Sequence, residues 1–298
     1  MADPTDGTVP WRVFLAEAER RLAAAGLPSP EVDARRIVER ATGTHGAELV
    51  LVLDDPATER GVGFFDLMVA RREAGEPLQY VLGAWGFREL DLFVDRRVLI
   101  PRPETEEVVE QALRELDLVV AARPGERPQV VDLGTGSGAI ALSIAVERDT
   151  VDVWAVERSA DAAAVARANL AGIGRAATRV RIVEGSWFEP LPPELHGRCS
   201  LVVSNPPYVA PADPLPPEVA DWEPREALVP GPTGFEAIDE IVHAAVGWLV
   251  PGGALVVELA PGQGEDAVAA AWDAGFVHAE TRPDLTGRTR MLVGRTSR

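Results

Sequence analysis

Gln129-Val130-Val131-Asp132-Leu133-Gly134-Thr135-Gly136-Ser137-Gly138-Ala139-Ile140 passes from one apolar run through three glycines into another. The pattern reads as a buried strand, a tight turn and the opening of a helix spanning 139–146. Glycines at 134, 136 and 138 let a ligand approach the backbone closely, and the first turn of a helix offers unpaired N–H groups. The spacing is G-x-G-x-G, one residue shorter than the dinucleotide fingerprint, and it lacks the Gly-Lys-Ser/Thr of a phosphate loop. Nineteen residues after Gly138 the next apolar run ends in Val156-Glu157. An acid at the tip of the second strand of such a unit accepts hydrogen bonds from both hydroxyls of a ribose. Loop and acid together predict an adenosine-containing cofactor. Asp132, just before the loop, has two roles open to it: meeting a cationic ammonium, or holding the loop through backbone N–H groups.

On either side of this stretch the chain alternates. Strands are predicted at 130–133, 153–156, 180–183, 201–204 and 254–259 with helices between them, and a further helix at 104–118 precedes the first. Strands joined by helical crossovers predict an α/β fold with a doubly wound, mostly parallel sheet whose ligands sit at the carboxyl ends of the strands. Residues 78–99 read as strand-like around Gly83 and Gly86 and are expected to form a linking hairpin. The first 76 residues read as a helical bundle: 11–25, a helix opened by Ser29-Pro30-Glu31 and closed by Gly43, then 47–53 and 59–73. In the second of these, Val32, Ala34, Ile37 and Val38 fall near one face, with Arg35, Arg36, Glu39 and Arg40 around the other. The expected domains are therefore a helical docking domain over 1–76, a hairpin over 77–100 and a cofactor-binding domain over 101–298.

Composition sets outer limits. The chain has 298 residues and a formal charge of −18, and all its basic residues are Arg. That charge disfavours a protein living on nucleic-acid backbone contacts. The deficit is shared, at −5 for residues 1–84 and −13 for 85–298. A single Cys199, four scattered histidines and no apolar run of membrane-spanning length argue against disulfides, a zinc site and a transmembrane helix. With no leader-like segment at Met1, the expected location is cytoplasmic. The acidic run 213–226 reads as a solvated loop on the substrate side.

After the fourth predicted strand comes Ser204-Asn205-Pro206-Pro207-Tyr208. Consecutive prolines fix φ and remove two backbone donors, so the loop is stiff and its carbonyls are left as acceptors. That suits an NH₂ group: the Asn205 side-chain oxygen and the Pro206 carbonyl each accept one N–H of a planar amide or amine, and Tyr208 covers or positions the planar group. An amide nitrogen is a poor nucleophile because its lone pair is delocalised. Holding both hydrogens turns the nitrogen toward an electrophile and stabilises the charge that develops on it.

Asp132–Gly138 together with Asn205–Tyr208 resembles the class I S-adenosylmethionine-dependent methyltransferases of the amino-group type. The wider chain is similar to the HemK/PrmC family, the glutamine N5-methyltransferases of peptide chain release factors. The likeness extends through Gly75-Glu76-Pro77 with Tyr80-Val81-Leu82-Gly83, Ile100-Pro101-Arg102-Pro103-Glu104-Thr105-Glu106, Glu223-Pro224-Arg225 with Ala227-Leu228, and Asp284-Leu285-Thr286-Gly287-Arg288. Asn-Pro-Pro-Tyr alone is shared with adenine N6-methyltransferases, whereas the Pro-Arg-Pro-Glu-Thr-Glu segment is far more specific. The resemblance implies a Rossmann-like fold and S-adenosylmethionine as cofactor, with S-adenosylhomocysteine as product. It implies cofactor contacts from Gly134, Thr135, Gly136, Ser137, Gly138, Glu157, Trp187 and Asn205, and a substrate glutamine held by Asn205, Pro206, Pro207 and Tyr208. The catalytic members would be Asn205, Pro206 and Tyr208. No metal is implied. Where the family often has Asp before the tryptophan and at the second-strand tip, this chain has Ser186 and Glu157. The expected partner is a class 1 release factor, met by a monomer with its helical domain as the dock. Alternatives are a ribosomal-protein glutamine, adenine N6 of DNA, or a cofactor-binding scaffold without catalysis.

Overall fold

A computed structural model describes residues 8–298. The chain divides into two compact units, the first ending at Ala84 and the second spanning Trp85–Arg298.

The first unit is helical: α1 (Trp11–Ala24), α2 (Pro30–Thr42), α3 (Leu49–Val52), α4 (Glu59–Glu73) and α5 (Leu78–Leu82). Pro30 sits at the first helical position of α2 and Gly43, with φ of 74°, closes it. The Thr58 hydroxyl caps α4 by accepting from the Gly61 N–H at 3.1 Å. Trp11, Leu22, Ile37, Val38, Phe65 and Val69 form the core. Within it the Arg72 guanidinium donates to Asp33 at 2.7 Å, joining α4 to α2. Three expectations need correction. Val32 is exposed, so the buried stripe of α2 is Ala34, Ile37 and Val38. Glu39 is buried because it accepts from both Arg35 and Arg36. Residues 80–82, read as strand, form the end of α5. The Arg71 guanidinium caps that one-turn helix by donating to the carbonyls of Tyr80 and Val81, at 2.9 and 3.3 Å, a stabilisation that local propensity does not contain.

The second unit opens with a short hairpin, β1 (Trp85–Phe87) and β2 (Leu90–Leu92), so pairing covers only the middle of the predicted 78–99 stretch. Next come α6 (Pro103–Ala122), β3 (Gln129–Leu133), α7 (Ala139–Glu147), β4 (Asp152–Glu157), α8 (Ala160–Leu170), β5 (Val180–Glu184), β6 (Cys199–Ser204), α9 (Pro217–Ala220), α10 (Glu236–Trp248), β7 (Leu249–Glu258), α11 (Gly264–Ala274), β8 (His278–Pro283) and β9 (Thr289–Arg295). The sheet order is β5-β4-β3-β6-β7-β9-β8, with β3 to β7 parallel and β9 antiparallel to both neighbours. The crossover from β5 to β6 carries only a single 3₁₀ turn, Pro193–Leu195, where a full helix was expected; three prolines between 190 and 193 leave too few backbone donors for one. The terminal strands β8 and β9 complete the sheet and had not been anticipated.

β3 lies between β4 and β6, so the strand order reverses around it, and a crevice opens there at the carboxyl ends. The core beneath is built from Val131, Leu133, Val202, Leu255 and Val257 of the strands with Ile238 and Ile241 of α10. The single Cys199 is buried, and burial pushes its thiol up to about 12, which makes it inert packing.

Candidate active site

Four of the five parallel strands, β3 to β6, lead at their carboxyl ends into residues that line the crevice, while β7 ends in a buried carboxylate behind it. After β3, Gly134, Gly136 and Gly138 all take positive φ, at 69°, 55° and 88°, which is the conformational reason this turn is glycine-rich. A side chain at Gly138 would also press to 3.0 Å from Leu142, whereas one at Gly136 would meet nothing within 4 Å and would instead fill the crevice. The loop is braced from beneath. Asp132 is fully buried; its Oδ2 accepts from the Thr135 hydroxyl at 2.5 Å and from the Ala141 N–H at 3.1 Å. Burial pushes this carboxyl up to about 7. Of its two open roles, holding the loop is the one these contacts show.

At the tip of β4, the Glu157 carboxylate accepts from the Gly136 N–H at 2.8 Å and from the Ser159 N–H at 2.9 Å. A carboxylate has about four acceptor positions, so two remain for a ligand's hydroxyls. After β5, Gly185, Ser186 and Trp187 line the same crevice. Trp187 adopts φ of 43°, an unusual value for a bulky residue, and its indole donates to Glu240 at 3.0 Å. This anchors the ring beside Gly134. A contact absent from the sequence reading pins the loop from outside. The Asn169 side chain accepts from the Phe93 N–H at 2.7 Å and donates to the carbonyls of Phe93 and Ser137, at 3.0 and 2.8 Å.

After β6, the Ser204 hydroxyl donates to the Leu133 carbonyl at 2.7 Å and sets the strand end against the glycine loop. Asn205 and Pro207 line the crevice; Pro206 is buried behind them. Tyr208 is turned away from the crevice and donates its hydroxyl to Glu258 at 3.2 Å. Burial and the neighbouring carboxylate push the phenol well above its ordinary range, so it is no base. Gln263 holds the rest of the segment by donating to the carbonyls of Tyr208 and Gly234, at 3.1 and 2.9 Å. Gly234, at φ of 82°, passes so near that any side chain there would sit 2.8 Å from the Tyr208 carbonyl oxygen.

Three residues of this site were not singled out from the sequence for a role. Thr105, which lines the crevice, and Glu258, at the end of β7, are both buried: the Thr105 hydroxyl donates to Glu258 at 2.7 Å while Asn205 Nδ2 donates to Thr105 at 3.2 Å. The signal for Glu258 was the one acid in the otherwise apolar run 254–259, near a strand's carboxyl end. Glu223 belongs to the acidic run read as solvated, yet it is buried and accepts from Arg102 at 2.5 Å. The Pro-Arg-Pro-Glu-Thr-Glu segment thus supplies Arg102 to the buried Glu223 and Thr105 to the network under Asn205.

The crevice fits an adenosine-bearing ligand: open space at Gly136, spare acceptors on Glu157, an indole against the glycine loop and a stiff acceptor loop opposite. Among the described residues no cluster of His, Cys, Asp or Glu is arranged to hold a metal, and no helix is long and apolar enough to cross a membrane.

Comparisons with known proteins agree with this geometry. Residues 14–83 match the family model described as PrmC N-terminal domain, and residues 115–215 match the methyltransferase small domain. The chain is similar to a release factor glutamine methyltransferase of Burkholderia pseudomallei, 41% identical over 276 residues that cover 90% of this chain and 93% of the relative. It is 40% identical over 284 residues to the protein of the same name from Mycolicibacterium smegmatis, covering 95% and 96%. Among solved structures, the catalytic domain of hMettl16 in complex with a MAT2A 3'UTR hairpin aligns with a TM-score of 0.53 at 17% identity, over 77% of this chain and 80% of that one. At that identity the likeness concerns the fold alone.

Proposed function

Since the chain belongs to the family of release factor glutamine methyltransferases, we propose that it transfers a methyl group from S-adenosylmethionine to the side-chain N5 of the glutamine in the Gly-Gly-Gln motif of class 1 peptide chain release factors, modulating translation termination. The observation that carries this reading is the Asn205 amide at the carboxyl end of β6, tied back through Nδ2 so that its Oδ1 is left to accept from a substrate.

When bound, S-adenosylmethionine supplies an electrophilic methyl on a sulfonium. Everything else falls to the chain. Backbone of Gly134–Gly138 and the side chains of Glu157 and Trp187 hold the adenosine. Asn205 Oδ1 and the Pro206 carbonyl accept the two hydrogens of the glutamine amide, which orients its nitrogen and stabilises the positive charge developing there. Pro207 keeps the loop rigid, and Tyr208 anchors it through Glu258. No strong base is needed before attack, in keeping with a Tyr208 proton held tightly. The protein is read as a cytoplasmic monomer that meets its substrate through residues 1–76, without direct nucleic-acid contact. The charge of −18 supports that last point.

The test is to incubate the protein with methyl-labelled S-adenosylmethionine, purified release factor and duplex DNA, and to locate the label. Label on the Gly-Gly-Gln glutamine is expected. Label on adenine, or none on that glutamine, would reject the assignment.

A further inference from the structure

A clamp made from an asparagine has a weakness: its amide has two nearly isosteric ends, and only the oxygen can accept a substrate's hydrogens. Something must choose the end that faces the crevice. Asn205 does not choose for itself, since the amide flips with little change in shape.

We propose that Thr105 and Glu258 are positioning residues that set the direction of the Asn205 amide. An ionised carboxylate only accepts, so Glu258 takes the single hydrogen of the Thr105 hydroxyl, at 2.7 Å. Thr105 Oγ1 then has only lone pairs to offer and must accept from Asn205, which places Nδ2 against it at 3.2 Å. Oδ1 is left on the other side, toward the crevice. The second oxygen of Glu258 is occupied by the Tyr208 hydroxyl at 3.2 Å, so the carboxylate also pins the far end of the acceptor loop. The inference rests on the reading of Asn205 as the amide clamp and adds to it two residues outside the substrate contacts.

Protonation of Glu258 reverses the logic. A carboxylic acid must donate its hydrogen, and if it donates to Thr105 Oγ1 the threonine hydrogen is released toward Asn205, where it favours the flipped amide. The groups facing Glu258 are Thr105 and Glu104 of α6, Tyr208 after β6 and Arg290 of β9; Arg102 acts on Tyr208 in turn. Burial, aided by Glu104, outweighs the hydrogen bonds and Arg290 and pushes Glu258 up to about 7. The switch therefore falls in the working range, and turnover should rise with pH through it.

Two measurements on the full-length protein test this. The first is steady-state transfer to the release-factor glutamine from pH 6 to 9, with binding of S-adenosylhomocysteine by calorimetry, for wild type, Thr105→Val, Thr105→Ser and Glu258→Gln. Thr105→Val should lower kcat about 100-fold at near-constant cofactor affinity, the scale of a misplaced reacting group, and Thr105→Ser should recover most of it. Glu258→Gln should lower kcat at pH 8 and erase the acid limb. Unchanged kcat in Thr105→Val, no rescue by Thr105→Ser, or an acid limb that survives Glu258→Gln would each overturn the proposal. The second measurement is independent of activity. The chain has only two asparagines, Asn169 and Asn205, so ¹⁵N-asparagine labelling gives two side-chain NH₂ signals. The Asn205 pair should move with pH near 7 in the wild type, stay fixed in Glu258→Gln and shift in Thr105→Val, with the Asn169 pair constant as a check on the fold. An Asn205 pair indifferent to both substitutions refutes the wiring. If the pair behaves as expected but the release-factor glutamine is not labelled, the proposed substrate falls and the positioning role stands.

Discussion

Glu157 serves the fold directly, since its carboxylate holds the N–H groups of Gly136 and Ser159, and in the proposed function it serves a ligand as well. Removing it unpins the glycine loop as well as deleting the ribose acceptors proposed for it. Glu157→Ala is expected to weaken S-adenosylhomocysteine binding by about 2 kcal/mol, roughly thirtyfold, in calorimetry. Asn205→Ala separates the other function: kcat should fall by at least about 100-fold, while the cofactor affinity measured in the same way stays within a few-fold. Glu157 and Asn205 were picked out because each follows a recognisable apolar run, and Trp187 through the family likeness; their roles toward a ligand are those proposed above. Thr105 and Asn169 were not, because each acts through a partner far away in the chain, Glu258 for one and Phe93 for the other.

Among elements, those with a strong local pattern came out as read: α4 covers 59–73 as expected, and β3, β4 and β6 agree within two residues. Two of the failures share a cause. α5 is held by a guanidinium from α4, and β8 is a half-buried edge strand paired with β9, so neither carries a full apolar period of its own. The Arg72 and Asp33 pair that joins α4 to α2 is likewise invisible in either helix alone. With both side chains buried, deleting Asp33 removes the carboxylate that balances the Arg72 charge and leaves the guanidinium its hydrogen bond to the Glu76 carbonyl. Asp33→Ala should therefore cost about 3–5 kcal/mol in denaturant unfolding of the first unit. Cofactor affinity, which resides in the second unit, should not change.

For the molecule as a whole, buried acids shape the pH dependence of stability. Asp132 and Glu258 both bind their protons more tightly when folded, with carboxyls raised to about 7. Their contribution is present in full below about pH 4 and is lost as pH rises through about 7. Half-buried or exposed carboxylates paired with Arg, such as Glu73, Glu110 and Asp117, are lowered and act in the opposite sense, losing stability as the pH falls below about 4. The melting temperature is expected to peak near pH 5 and to decline toward pH 8 in scanning calorimetry, and Asp132→Asn with Glu258→Gln should flatten that decline. A profile still rising at pH 8 would contradict it.

The local order of residues sufficed for the α/β alternation, the glycine turn and the stiff acceptor loop, because each depends on neighbours within a few positions: apolar periodicity, positive φ at glycine, fixed φ at proline. The family likeness rested on such short segments too. What the chain could not disclose in linear form is how those segments are held to one another. Asn205 meets Thr105 across 100 residues, and Thr105 meets Glu258 across 153. Those contacts exist only once β3, β6 and β7 lie side by side and α6 packs across them, and with them comes the direction in which one amide points.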